Sequence, residues 1–251
     1  MASRLFGVLN IRAVVVLMLP ARNEGPRIGA VIDRAPSSVA VLVVDDGSTD
    51  GTGDVARAAG AVVVPGPGRG LGAAVLTGLR AAVAMGADVV AFCDADGEYD
   101  PAEIDRLVAP IERGEADYVV GSRFAGDIRS MRPHRRLGNR MLTIALRALT
   151  RLPVTDGQSG FRALSRHAAI AADLAHDFNY AQVLTIELTG KGFRYAEVPI
   201  TYSFRTSGTS FVRLLPYLRS VVPAAATELR VARHRRTRAT AASTAIASEN
   251  H

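Results

Sequence analysis

Asp94 and Asp96 close the apolar run that begins at Ala87, and Glu98 and Asp100 continue the same spacing. Val89, Val90, Ala91, Phe92 and Cys93 read as a buried strand. A helix start follows: Asp100 as N-cap, Pro101 at the first helical position and Glu103 at the third. Two carboxylates at the carboxyl end of a strand are carried on a rigid edge. Such a pair suits a hard divalent ion that keeps some waters and takes its other ligands from substrate phosphates. In open α/β sheets, ligands bind outside the carboxyl ends of the strands. An ordinary acidic turn has the same letters, so the rest of the chain must decide.

The elements that would place this pair alternate. Residues 13–19 are rich in β-branched types and read as the first strand, ended by Pro20-Ala21-Arg22-Asn23-Glu24-Gly25; Pro26 then opens a helix to Ile32. Residues 39–44 are the second strand, stopped by Asp45-Asp46-Gly47-Ser48. A helix over 52–59 is closed by Gly60, and 61–64 form a third strand. Pro65-Gly66-Pro67-Gly68-Arg69-Gly70 leads into a helix over 71–85; another helix spans 101–113 and a strand 117–121. This order argues a mostly parallel sheet with helices on both faces. The glycines from Gly66 to Gly72 match neither a Walker loop nor a dinucleotide fingerprint. They let a helix start close to the sheet, or offer backbone N–H groups to a phosphate.

Composition bounds the rest. The 251 residues are 48% hydrophobic, enough for one well-buried domain. Formal charge is +6, and Lys191 is the only lysine, so arginine carries nearly all the positive charge. That balance suits polyanionic partners: phosphorylated substrates, an anionic membrane surface or nucleic acid. With no Trp and 6% aromatic residues, no stacking platform supports nucleic acid. A single cysteine, Cys93, excludes an intramolecular disulfide and fits a reducing compartment. Residues 5–19 are apolar, but Asn10 and Arg12 interrupt them; they are too short to span a bilayer and no small-residue cleavage site follows. The expectation is a protein without a membrane span that can lie on a membrane.

Beyond Ser122 the texture changes. Arg123, Arg129, Arg132, Arg135, Arg136 and Arg140 crowd together, and a helical pattern runs over 135–151. Arg136, Arg140, Arg147 and Arg151 share an arc of about 60°, beside a broad apolar arc of roughly 200°. Part of that apolar face would meet lipid, with the arginines at the headgroups; a solvated basic face on a packed helix fits as well. Phe211, Leu214, Leu215, Leu218, Val221 and Val222 form a second amphipathic face over 211–235, and 236–251 read as a disordered tail. The main domain is expected over 1–210.

Seven short motifs stand in order: Pro20-Ala-Arg-Asn-Glu24, Val43-Val-Asp-Asp-Gly-Ser-Thr-Asp-Gly51, Arg69-Gly-Leu-Gly-Ala73, Asp94-Ala-Asp96, Gly121-Ser-Arg-Phe124, Ser159-Gly-Phe-Arg162 and Glu197-Val-Pro-Ile200. Over about residues 14–213 the chain resembles the family 2 glycosyltransferases of GT-A fold, in particular those that glycosylate dolichyl or polyprenyl phosphate. The resemblance implies that Pro20, Arg22, Glu24, Val43, Asp45, Asp46 and Gly72 serve the sugar nucleotide. It gives Asp94, Ala95 and Asp96 the sugar diphosphate through Mg²⁺ or Mn²⁺, with Glu98 a further metal ligand. Arg123 and Arg205 approach phosphates, and Arg135, Arg136, Arg140 and Arg213 join Arg123 around an acceptor phosphate. The family's lysine after Gly-x-Ser is Phe211 here, which leaves Arg213 to replace it.

A sugar hydroxyl acceptor needs a general base, whereas a phosphate acceptor is already anionic. The segment 177–187 has Asp177 and Glu187 only at its ends, and Asp156 is the alternative base. The expectation is an inverting, metal-dependent transfer of a hexose from a UDP- or GDP-sugar to a lipid phosphate. It would occur at the cytoplasmic face of the membrane, with peripheral contact or a separate anchoring protein. The alternatives are a soluble enzyme with a small hydroxyl acceptor, a nucleotidyltransferase, and a membrane-docked binding module without activity.

Overall fold

The computed structural model describes residues 13–174 and 180–203. Seven strands form one sheet: β1 (Val15–Ala21), β2 (Ala40–Asp45), β3 (Val62–Pro65), β4 (Val89–Phe92), β5 (Tyr118–Ser130), β6 (Arg162–Ser165) and β7 (Tyr195–Ser203). Their order is β3-β2-β1-β4-β6-β5-β7. β6 alone runs against its neighbours, and the other pairings are parallel. The helices are α1 (Gly25–Asp33), α2 (Thr52–Ala58), α3 (Leu71–Ala84), α4 (Ile104–Glu112), α5 (Pro133–Thr150), α6 (Arg166–Ala171) and α7 (Tyr180–Gly190).

Strand alternation divides the core in two. On β1, Val16 and Met18 face one layer with Leu42, Val44, Phe92, Leu79 and Leu184, while Leu17 and Leu19 face the other with Val43, Ala91, Ile28, Val31 and Leu107. A strand buried on both faces needs an unbroken apolar run, and β1, β2 and β4 have one. Gly78 allows α3 to lie against the sheet: a Cβ there would fall 2.6 Å from Met18 Cγ and 2.9 Å from Val44 Cγ2.

The first six expected elements match within one or two residues, and three features differ. β5 does not stop at Gly121 but continues to Ser130 as a ribbon against β7, with irregular register after Ser122 and after Ile128. Its second half is largely exposed, so no regular apolar alternation marks it. β6 has four residues and opens on a buried arginine, which hid it. β7 is an edge strand, where Pro199 is tolerated because its missing N–H disturbs no inner ladder.

α5 is where expected. Leu146 and Thr143 are its buried side, while Leu137, Met141 and Ile144 are each more than 60% exposed. The exposed three share an arc of about 60°, opposite Leu146 and beside Arg136, Arg140 and Arg147. Among the described residues, no helix is long and apolar enough to cross a membrane. Arg205, Arg213, Asp177 and the expected segments 211–235 and 236–251 lie outside the described residues.

Candidate active site

The carboxyl ends of β1, β2 and β4, the start of α3 and the first turn of α5 enclose a cleft of about 890 Å³. Pro20, Ala21, Arg22, Asn23 and Glu24 line it from β1, Asp46 from β2, Gly70, Leu71 and Ala74 from α3, and Asp94, Ala95, Asp96 and Glu98 from β4. Arg135 closes the side toward α5.

Hydrogen bonds within neighbouring turns shape one wall. Asn23 takes a left-handed conformation, φ 56°, which asparagine tolerates better than most residues. Its N–H donates to Ser48 Oγ at 3.0 Å, and its Oδ1 accepts from the Thr49 N–H at 2.9 Å. The motif was plain in the sequence, but this residue's role was not. Asp46 is buried and accepts from the Gly68 and Gly70 N–H groups at 2.7 and 3.2 Å. The glycine loop is therefore folded against a carboxylate at the cleft edge. Asp45, one residue earlier, caps its own turn through the Ser48 N–H at 2.9 Å and does not line the cleft. Val43 is packed in the core, and Gly72 is buried inside α3 without lining the cleft. Those three expected nucleotide residues lie outside the cleft lining.

Asp94 sits against Gly160, where a Cβ would fall 2.5 Å from Asp94 Oδ2. The Gly160 N–H donates to the buried Tyr99 hydroxyl at 2.8 Å. Gly160 is therefore required for close approach, which accounts for the Ser-Gly-Phe-Arg motif at this depth. Burial, then the charges of Asp96 and Glu98, push the Asp94 carboxyl up to about 7; Arg123 and Arg162 act in the opposite direction. This crowding of negative charge is what a hard cation would relieve, so the donor set fits a divalent ion. Cys93, immediately before, is fully buried, and burial pushes its thiol up, as expected of inert filler.

Glu98, the further metal ligand that the resemblance implies, also has partners within the protein. Its Oε2 accepts from the Tyr202 hydroxyl at 2.6 Å, and its Oε1 lies 4.0 Å from Arg135 Nη1. Among the described residues no group of three His, Cys, Asp or Glu is gathered for a metal.

Asp156 as a general base is also at odds with its surroundings. It is fully buried, and its Oδ2 and Oδ1 accept from Arg123 Nε at 2.6 Å and Nη2 at 2.8 Å, with the Arg123 N–H at 3.0 Å. Both of its oxygens are thus taken up by the guanidinium, deep under the surface. Arg123 in turn stacks over Tyr202, 5.1 Å from the ring centroid. Its side chain is 6% exposed, and among the described residues its Nη1 has no hydrogen-bond partner. Arg136 and Arg140 are exposed on α5, outside the cleft lining; Arg140 lies over Phe124 at 5.7 Å.

Residues 16–171 match the family described as Glycosyl transferase family 2, and the chain belongs to that family. It is 32% identical over 214 residues to the polyprenol monophosphomannose synthase of Mycolicibacterium smegmatis, covering 78% of this chain and 79% of that one. Identity to glycosyltransferase AglJ of Haloferax volcanii is 34% over 200 residues; the match covers 78% of this chain but only 65% of that relative's length. The crystal structure of glucosyl-3-phosphoglycerate synthase from Mycobacterium tuberculosis, with Mn²⁺, UDP-glucose and phosphoglyceric acid, matches at TM-score 0.69 and 26% identity over 87% of this chain and 80% of that one. The fold is thus the GT-A type, and the protein is a glycosyltransferase, which sets aside nucleotidyl transfer and a purely binding role.

Proposed function

We propose that this enzyme moves a hexose from a nucleoside-diphosphate sugar, UDP- or GDP-linked, to a polyprenyl or dolichyl phosphate, with inversion at the anomeric carbon. One observation carries the acceptor assignment. Every cleft carboxylate outside the Asp94–Asp96 pair is engaged: Glu24 with Arg27, Asp46 with the glycine loop, Glu98 with Tyr202 and Arg135. Asp156 is tied to Arg123. A neutral hydroxyl would find no spare base among these cleft carboxylates, whereas a phosphate oxygen needs none.

Asp94 and Asp96 would hold Mg²⁺ or Mn²⁺, which when bound neutralises charge on the departing diphosphate. Arg22, Glu24 and the Asp46-held loop border the nucleotide. Arg123 offers its unpartnered Nη1 to the acceptor phosphate, and Arg135 guards the same end. The acceptor oxygen attacks the anomeric carbon as the bond to the diphosphate oxygen breaks. On this reading Asp156 positions Arg123 and takes no proton. The exposed Leu137, Met141 and Ile144 rest on the bilayer, their neighbouring arginines at anionic headgroups, on the cytoplasmic face. Arg205, Arg213 and a separate anchoring protein remain part of the proposal without a structural description.

A second reading has its own support: the crystal relative named above binds phosphoglyceric acid. The deciding assay supplies UDP- or GDP-hexoses with Mn²⁺ and offers either a polyprenyl phosphate in phosphatidylglycerol vesicles or free phosphoglycerate. Chelator-sensitive release of nucleoside diphosphate, dependent on the lipid phosphate, is expected. Turnover with phosphoglycerate and none with the lipid would replace this reading by the second.

A further inference from the structure

The Glu197-Val-Pro-Ile200 motif lies on the edge strand, away from the cleft lining, yet its glutamate is among the most heavily bonded side chains described. Glu197 sits on β7 in register with Val120 of β5, three residues before Arg123. Both of its carboxylate oxygens accept from the Thr155 N–H at 2.9 Å, Oε2 also accepts from the Thr155 hydroxyl, and Oε1 accepts from the Asp156 N–H at 3.3 Å. The Tyr195 hydroxyl donates to Oε1 at 2.5 Å. Thr155 Oγ1 lies 2.6 Å from Ser122 Oγ, and Asp156 grips Arg123 with both oxygens. One carboxylate therefore gathers four donors and fixes the turn whose next side chain holds the buried guanidinium.

We propose that Glu197 is the positioning residue for Arg123, acting through Thr155 and Asp156. This rests on the reading of Arg123 as an acceptor-phosphate contact. A turn free to shift would carry Asp156 and the arginine fork with it. A misplacement of about 1 Å at a phosphate contact is enough to weaken productive binding without touching the donor. Glu197→Gln tests this because its amide N–H₂ would face donors on every side. Thr155→Val, close in shape, removes only the hydroxyl bonds. Arg123→Lys keeps a charge beside Asp156 but loses the fork.

The measurements are the apparent KM for a polyprenyl phosphate in phosphatidylglycerol vesicles, the Kd of the nucleoside diphosphate with Mn²⁺, and the Tm. Arg123→Lys is expected to raise the acceptor KM about tenfold, with Glu197→Gln and Thr155→Val raising it about fivefold, while the diphosphate Kd stays within about twofold. In the Arg123→Lys background, Glu197→Gln should add nothing, since both changes disable one contact. An effect of Arg123→Lys with none from Glu197→Gln and Thr155→Val would overturn the proposal alone. So would additive effects, or donor affinity falling in step with the acceptor KM, which mark general loosening. No effect of Arg123→Lys on the acceptor KM would remove the reading of Arg123, and the proposal with it.

Discussion

The half of the sheet made by β3, β2, β1 and β4 and the half made by β6, β5 and β7 hold their site residues by different means. In the first, the cleft is shaped by short turns whose side chains bond backbone N–H groups: Asn23 to Thr49, Asp45 to Ser48, Asp46 to Gly68 and Gly70. In the second, distant side chains are tied together as in the Arg123–Asp156 ion pair, while Glu98–Tyr202 joins the two halves. Turns of the first kind present backbone to a ligand and suit a part common to many substrates. Ion pairs of the second kind place particular charges, and one substitution can move them. On the proposed function, the common part, the nucleotide diphosphate, falls to the first half and the distinguishing part, the acceptor, to the second.

The hardest test of that division is the carboxylate pair at the boundary. Asp94→Asn and Asp96→Asn should each lower turnover about 10³-fold by removing support for the leaving diphosphate. Stability should move the other way for Asp94→Asn. Its carboxyl is raised by burial and by Asp96 and Glu98, so the folded state disfavours its charge at neutral pH. Removing that charge should leave the Tm unchanged or higher. Activity within about tenfold of the parent enzyme in both variants would take away the metal assignment.

Asp156→Asn should separate the halves by stability. Breaking a buried pair leaves Arg123 uncompensated and typically costs about 3–5 kcal/mol. Thermal unfolding should fall by about 10 °C on that account, with acceptor turnover lost. Diphosphate binding, measured below the new Tm, should persist, because no donor-side turn depends on Asp156. Loss of both binding functions together would show that the halves are not independent.

The sequence was far more legible in one half than the other. Continuous apolar runs punctuated by Asp, Gly and Pro gave β1 to β4 and α1 to α4 nearly at their true bounds; for β1, β2 and β4, burial on both faces leaves no other pattern. The second half rests on pairs that periodicity cannot express. Arg123 and Asp156 are 33 positions apart, and Glu98 and Tyr202 are 104 apart. The resemblance made Glu98 a further metal ligand, and nothing local announces the distant tyrosine that donates to it. Asp156 read as the alternative base because nothing local announces its arginine. β6 went unseen because a buried arginine opens it; Arg162 is satisfied by the Ser159 and Ala181 carbonyls and by the Tyr118 and Thr185 hydroxyls rather than by a carboxylate.

The surface of α5 sharpens the comparison further. If the acceptor half faces a bilayer, Met141→Glu combined with Ile144→Glu should reduce cosedimentation with phosphatidylglycerol vesicles by more than tenfold, since each buried apolar side chain is worth roughly 1.5–3 kcal/mol. Turnover of a short, water-soluble prenyl phosphate should be unaffected, as neither residue lines the cleft. Unchanged vesicle binding would remove the lipid role from this face.

The smallest expected effect lies wholly in the donor half. Asp46 is buried, and its two oxygens hold the N–H groups of Gly68 and Gly70, while Gly66 approaches so closely that a Cβ there would stand 2.7 Å from Asp46 Oδ1. Asp46→Ala frees the loop without removing a group that must touch the phosphates. The cost to donor affinity is that of re-ordering a few residues on binding, partly offset by water that satisfies the released N–H groups. A net loss of about 1 kcal/mol, or roughly fivefold in the Kd of the nucleoside diphosphate, is expected by calorimetry. The acceptor KM should not move. A change in acceptor KM with the donor Kd intact would reverse the assignment of the glycine loop and with it the division between the two halves.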